Sequence, residues 1–177
     1  MLDAAVEEVF GGITVWHSEI DPAASKVLAY HFPHIPNLGD ITQVDWTTVE
    51  PVDILCGGFP CQDVSSAGKG AGLEAGTRSG LWSVFAEAID HLNPKIVVIE
   101  NVKGLLSAKA TRSAHLESDE SGVGNTDRPL RAAGAVLGDL SERGYDAKWC
   151  VVPASEAGAP HNRERVFIVA TRTVPHP

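Results

Sequence analysis

Cys61 follows a proline at the end of an apolar run, in Gly57-Gly58-Phe59-Pro60-Cys61-Gln62. Val52 to Cys56 has the look of a buried strand opening into a loop, so the thiol is carried at the mouth of a sheet on backbone stiffened by Pro60. A thiol so placed is a candidate nucleophile. Cys56 and Cys150 fit the commoner fate of free cysteine, a small buried apolar residue. The spacing of Cys56 and Cys61 raises a metal or redox pair. Alternation along a strand and the lack of further ligands count against it.

Glu100 is the second reactive group. It ends Lys95-Ile96-Val97-Val98-Ile99-Glu100-Asn101, the clearest buried strand in the chain, a costly place for charge unless it is paired or used protonated. A strand-terminal carboxylate facing solvent is the plain alternative. Arg163 and Arg165 come just before a final apolar strand, and at a period of two they should share one face. Gly70-Ala71-Gly72-Leu73-Glu74-Ala75 fits a dinucleotide-binding pattern but fails on context, since no strand ends on it and no helix begins there. His31 and His34 flank Pro33 as loop residues rather than metal ligands.

The elements that must hold these groups alternate. Leu2 to Phe10 has helical spacing and stops at Gly11-Gly12. Ile13 to Glu19 reads as a strand, and Asp21-Pro22 starts a helix running to about His31. Leu81, Val84, Phe85, Ala88 and Ile89 mark another helix face, ended by Asn93-Pro94. The polar stretch 107–127 has the composition of a flexible insertion. A helix from about Pro129 to Arg143 follows, then strands at Ala147 to Val152 and Arg165 to Thr171, the last antiparallel or at an edge. The pattern predicts one doubly wound α/β domain with a mostly parallel sheet covered on both faces. Ligands then bind beyond the carboxyl ends of the strands. Glu19, Asp40, Cys61 and Glu100 all fall at or soon after such ends.

The 177 residues suit one domain, and 44% apolar content suffices for a core. No apolar run approaches the roughly 20 residues of a membrane span, and no signal peptide is evident, so a cytoplasmic protein is expected. A formal net charge of -9 argues against nucleic-acid binding by counter-ion release alone.

Gly58-Phe59-Pro60-Cys61-Gln62, then Ile99-Glu100-Asn101-Val102, then Arg163-Glu164-Arg165, in that order, resemble the DNA cytosine-5 methyltransferases. Gly39-Asp40-Ile41-Thr42, Ser65, Gly68-Lys69 and Arg78 to Leu81 are also similar to that family, so the likeness runs along nearly the whole chain. It implies a Rossmann-like domain dependent on S-adenosyl-L-methionine, acting on double-stranded DNA within a restriction-modification or phage-protective system. By resemblance, Cys61 adds to C6 of cytosine, Glu100 engages N3, Arg165 lies near the pyrimidine O2, and Arg163 supports it close to the thiol. For the cofactor, Glu19 resembles the acid at the ribose hydroxyls and Asp40 the acid that reads the adenine amine. Ile20, Ile41, Pro60 and Leu81 fall at its remaining contacts.

There are departures. Ile20 stands where many members place an aromatic residue, and His161 where many have Gln. The family normally opens with a strand and Gly-rich turn ahead of the helix that here begins at Leu2. That strand lies between those ending at Glu19 and at Cys56. The family also continues into a region that recognises the target sequence. The expectation is an incomplete catalytic domain whose recognition region comes from a companion chain or segment. The rival reading is a non-catalytic remnant of such an enzyme.

Overall fold

The computed structural model describes residues 2–60, 81–108 and 131–173. Cys61, Gln62, Ser65, Gly68, Lys69, Arg78, the Gly70–Ala75 pattern and most of the 107–127 insertion therefore lie outside the described residues. Among the described residues four α-helices and four strands are formed: α1 (Leu2–Phe10), α2 (Pro22–His31), β1 (Ile54–Gly58), α3 (Leu81–Leu92), β2 (Ile96–Val102), α4 (Ala132–Glu142), β3 (Tyr145–Pro153) and β4 (Glu164–Arg172).

The helix boundaries follow local chemistry. Asp21 caps α2 by accepting from the backbone N–H groups of Ala23 and Ala24, with Pro22 at the first helical position. Past α3, Asn93 takes a left-handed backbone, φ 53°, and Pro94 cannot continue the helix. α4 closes on Gly144, φ 80°, whose N–H donates to Ser141 O.

The sheet has the order β1-β2-β4-β3. β1 and β2 run parallel, and β4 is antiparallel to both β2 and β3. The sheet is thus mixed rather than mostly parallel among the described strands. The antiparallel strand that the sequence predicts at Arg165 to Thr171 lies inside the sheet, and β3 forms the edge. β3 and β4 are joined by a short connection, which allows only an antiparallel return.

Alternation separates two faces. Val97, Ile99, Val166, Ile168 and Ala170 are essentially fully buried and pack with α3 (Trp82, Phe85, Ala86, Ile89) and α4 (Ala132, Val136, Leu140). Leu55 and Gly57 belong to this face by register, and a Cβ on Gly57 would come within 2.7 Å of the Phe85 ring. The opposite face is not covered in the same way, because neither α1 nor α2 buries a single residue.

The strand expected at Ile13 to Glu19 is not formed. The segment makes one isolated parallel bridge, His17 to Asn37. A ladder needs a neighbour, and the facing edge of β1 is separated from this segment by a cavity of about 870 Å³. All five β1 residues line that cavity, as do Val15 to Glu19, Leu2, Val6 and Leu28. Among the described residues β1 consequently presents an unpaired edge to it. On its wall Asp3 Oδ2 lies 3.7 Å from His17 Nδ1, and the buried His17 Nε2 has no hydrogen-bond partner among the described residues.

Candidate active site

β1 and β2 are parallel and end together, with Gly58 opposite Glu100. Glu100 projects from the face away from α3 and α4, over Gly58. A Cβ on Gly58 would meet Glu100 O at 2.8 Å and Glu100 Oε2 at 3.3 Å, so glycine is the residue that lets the carboxylate lie there. Arg165, opposite Val102 in the β2–β4 ladder, shares this face, and its Nε lies 2.5 Å from Glu100 Oε1. The carboxylate is therefore paired, one of the two states its strand-end position required. At 18% and 34% side-chain exposure the pair is partly desolvated and still reachable from solvent.

A recess of about 540 Å³ opens beside the pair, lined by Gly58, Phe59, Pro60, Glu100, Asn101, Val102 and Arg165. Pro60, exposed at its rim, is the last described residue before Cys61. Phe59 is buried against Trp82, ring centroids 5.0 Å apart, and Trp82 donates from Nε1 to Asp139 Oδ2 at 2.6 Å. The turn leading to the thiol is thereby anchored to the core.

Arg163 is not brought into this recess. It is exposed, one residue before β4, where its N–H donates to His161 Nδ1 at 3.4 Å and its carbonyl accepts from Ala154 N. The expected common face for the two arginines needed both in the strand, and the strand starts at Glu164. Glu164 pairs instead with Lys103 across the β2 end, Nζ to Oε2 2.7 Å.

The residues assigned to a cofactor form a looser set. Glu19 and Ile41 line the large cavity together with Gly57 and Gly58, the last of which also borders the recess. Glu19 Oε1 accepts from Asp21 N at 2.8 Å. Asp40 caps a short 3-10 turn, its Oδ1 accepting from Thr42 N and Thr42 Oγ1 at 2.9 and 2.8 Å. Ile20 is 68% exposed and points to no neighbour in the core. Leu81 opens α3, half-buried against the core, and Pro60 sits at the recess; neither lines the large cavity.

Two residues carry geometry that sequence reasoning left without a role. Asn37 binds both sides of Glu19: its Oδ1 accepts from Glu19 N at 2.9 Å and Gly39 N at 3.1 Å, and its Nδ2 donates to Glu19 O at 3.0 Å. Asn101 is the other, donating from Nδ2 to Phe59 O at 2.7 Å. The signal for Asn101 was an amide directly after the strand-end acid. For Asn37 there was only an Asn two residues before a glycine.

A mixed α/β sheet ends in a paired acid beside a proline turn that leads, in sequence, to a cysteine, and this sets the class of domain with which the chain compares. Residues 2–176 match the C-5 cytosine-specific DNA methylase family, and the chain belongs to it. It is similar to the type II methyltransferase M.NgoBV of Neisseria gonorrhoeae, 36% identical over 157 residues, covering 89% of this chain and 34% of that protein. M.HhaI of Haemophilus parahaemolyticus is 33% identical over 165 residues, covering 93% and 44%. The fold is similar to that of S. pombe Dnmt2, with TM-score 0.63, 16% identity, 92% of this chain and 44% of that one. A putative DNA modification methyltransferase from an E. coli prophage gives TM-score 0.59 and 23% identity over 91% and 40%. The chain thus spans between a third and a half of the length of these proteins. Among the described residues no helix is long and apolar enough to cross a membrane, and no group of His, Cys, Asp and Glu could hold a metal ion.

Proposed function

We propose that this chain carries the catalytic residues of a DNA cytosine-5 methyltransferase. In this reading the Cys61 thiolate adds to C6 of a cytosine, forming an S–C6 bond while the ring electrons move toward N3, which Glu100 engages with a proton taken up from solvent. C5 becomes enamine-like. S-adenosyl-L-methionine, when bound, supplies an electrophilic methyl group. Loss of the C5 proton then returns an electron pair to the ring and expels the Cys61 sulfur. Arg165 orients Glu100 and presents its guanidinium to the pyrimidine edge. Arg163 is assigned a supporting position near the thiol, from outside the recess. The observation that carries the reading is the Glu100–Arg165 pair bordering the recess that the Phe59–Pro60 turn enters.

For the cofactor, Glu19 would hold the ribose hydroxyls, Asp40 the adenine amine, and Ile20, Ile41, Pro60 and Leu81 its remaining contacts. Glu19 and Ile41 beside Gly57–Gly58 fit an adenosine that lies along the strand ends. Double-stranded DNA is the proposed substrate. The base must be flipped out, at about a few kcal/mol, by a recognition region that the longer relatives have room for. The net charge of -9 leaves phosphate binding largely to that region.

The β1 edge and the buried His17 Nε2, both without a partner among the described residues, favour a second element of this reading: the 177 residues alone are inactive and need a companion segment. The test is covalent trapping on a duplex carrying 5-fluorocytosine, in which fluorine blocks the final elimination. It is run on the chain alone and on the chain supplemented in trans with the complementary segments of a relative. The supplemented protein should trap DNA, Cys61→Ser should abolish the adduct, and Cys56→Ser and Cys150→Ser should retain it. An adduct surviving in Cys61→Ser sinks the mechanism. Efficient trapping by the bare chain sinks the need for a companion.

A further inference from the structure

Asn101 is the one buried polar side chain among the described residues, 3% exposed, and it belongs to the strand face that packs on α3 and α4. A carboxamide there costs about 1–3 kcal/mol if left unsatisfied. Both of its ends are engaged. Oδ1 accepts from Val102 N at 2.8 Å, which orients the amide, and Nδ2 then donates to Phe59 O at 2.7 Å.

The location of that second bond matters. The β1–β2 ladder ends at Gly58 opposite Glu100, so Phe59 lies one residue past the last backbone pairing. The Asn101 side chain supplies the tie that the ladder no longer makes. It carries the connection between the two strands one residue further toward Cys61. On its other side Phe59 is wedged against Trp82, and Pro60 adds a fixed φ. Gln at 101 would overshoot the carbonyl, Ser would fall short of it, and Asp would oppose it with a second acceptor.

We propose that Asn101 is a positioning residue: its amide clamps the Phe59–Pro60 stem to the end of β2, beside Glu100 and Arg165, and so steadies the backbone from which Cys61 follows in sequence. The inference rests on the reading of Cys61 as nucleophile. An error of about 1 Å at a reacting atom costs on the order of a hundredfold in rate, so a single clamp of this kind is felt in turnover more than in binding.

The experiment uses Asn101→Asp, which keeps the acceptor for Val102 and removes the donor to Phe59, and Asn101→Ser, which spares the core a buried carboxylate. In the supplemented protein, kcat for methyl transfer should fall about tenfold or more. KM for DNA and cofactor affinity should stay within about twofold. In the 177-residue chain, the alkylation rate of Cys61 at neutral pH should change by about threefold or more, with Cys150 as internal reference. A purely structural asparagine would lower Tm and leave that rate where it was. An unchanged rate, or equal losses in kcat and cofactor affinity, overturns the proposal. Failure of the wild-type supplemented protein to methylate counts against the proposed function instead, and the alkylation rate still decides the role of Asn101.

Discussion

Residues 2–50 and the sheet with its two later helices are built on different principles. In the first region Trp46 is the only buried residue. Val9, Phe10, Ile13, Ile20 and Tyr30 are exposed, and the segments are tied by polar contacts centred on Asn37, Asp21 and Asp40. In the second, Val97, Ile99, Val136, Leu140, Val166 and Ala170 are all 0% exposed. The acid and the arginine stand on this rigid part, where their spacing is set by a ladder. The residues assigned to the cofactor stand mostly on the other, across a cavity from β1. The spacing of Glu100 and Arg165 is therefore set by packed strands, whereas the residues proposed for the cofactor stand on a region with few buried side chains.

The comparison breaks most visibly in stability. Ile99→Ala should cost about 2–5 kcal/mol, since the cavity it leaves is enclosed by β4 and α3. Phe10→Ala, at 43% exposure, should change stability by less than about 0.5 kcal/mol. Urea titration of both variants measures the contrast, and similar midpoints would mean that residues 2–50 share the core's cooperativity.

Next in size is the acid itself. Glu100→Gln should lower methyl transfer by at least about a hundredfold in the supplemented protein while cofactor binding is retained, because the acid stands on the sheet and the residues proposed for the cofactor stand mostly on the other region. Loss of both together would show that the two regions are coupled.

A smaller effect is expected at Asn37. Removing its amide by Asn37→Ala withdraws hydrogen bonds worth roughly 0.5–1.5 kcal/mol each, so cofactor affinity should weaken by about three- to tenfold with the thermal midpoint nearly unchanged. Calorimetric titration checks it, and an unaltered affinity would release Glu19 from its assigned role.

The smallest effect reports on the boundary between the regions. Burial, with Asp3 nearby, pushes the Cys56 thiol up to about 11 from an ordinary 9.0. Its folded pKa lies above the unfolded one, so its contribution to stability is present below pH 9 and declines as pH rises from 9 toward 11. In the bare chain Cys56 should therefore be alkylated more slowly than the exposed Cys150 at pH 9. A segment filling the cavity beside β1 should slow it further, and indifference to such a segment would argue that the cavity is not where it binds.

Much of the architecture is legible locally. Ile96 to Val102 and Leu81 to Leu92 announce themselves through apolar runs, periodicity and Pro or Asn stops, and all four helices form near their expected places. The segment at 13–19 misleads because its residues suit a strand, yet strand formation depends on a neighbour that the segment itself cannot provide. Arg163 and Arg165 look equivalent in sequence, and one residue of strand boundary separates them. Asn37 and Asn101 act on backbone atoms far away in the chain, and no local pattern records such a partner.

By itself, then, the sequence determined the order of the reactive residues, the helices with their caps, and the membership of a family whose motifs are short contiguous strings. Those are properties of neighbours along the chain, decided by side-chain type and period. Only the tertiary structure decided that Glu100 is held by Arg165, that Asn101 continues the β1–β2 connection past its last ladder pair, and that β1 has an open edge beside a cavity. Each of these joins groups from separate strands, and hydrogen bonds and ion pairs fall off within a few ångströms. Pairing of that kind exists only once the strands have chosen their register.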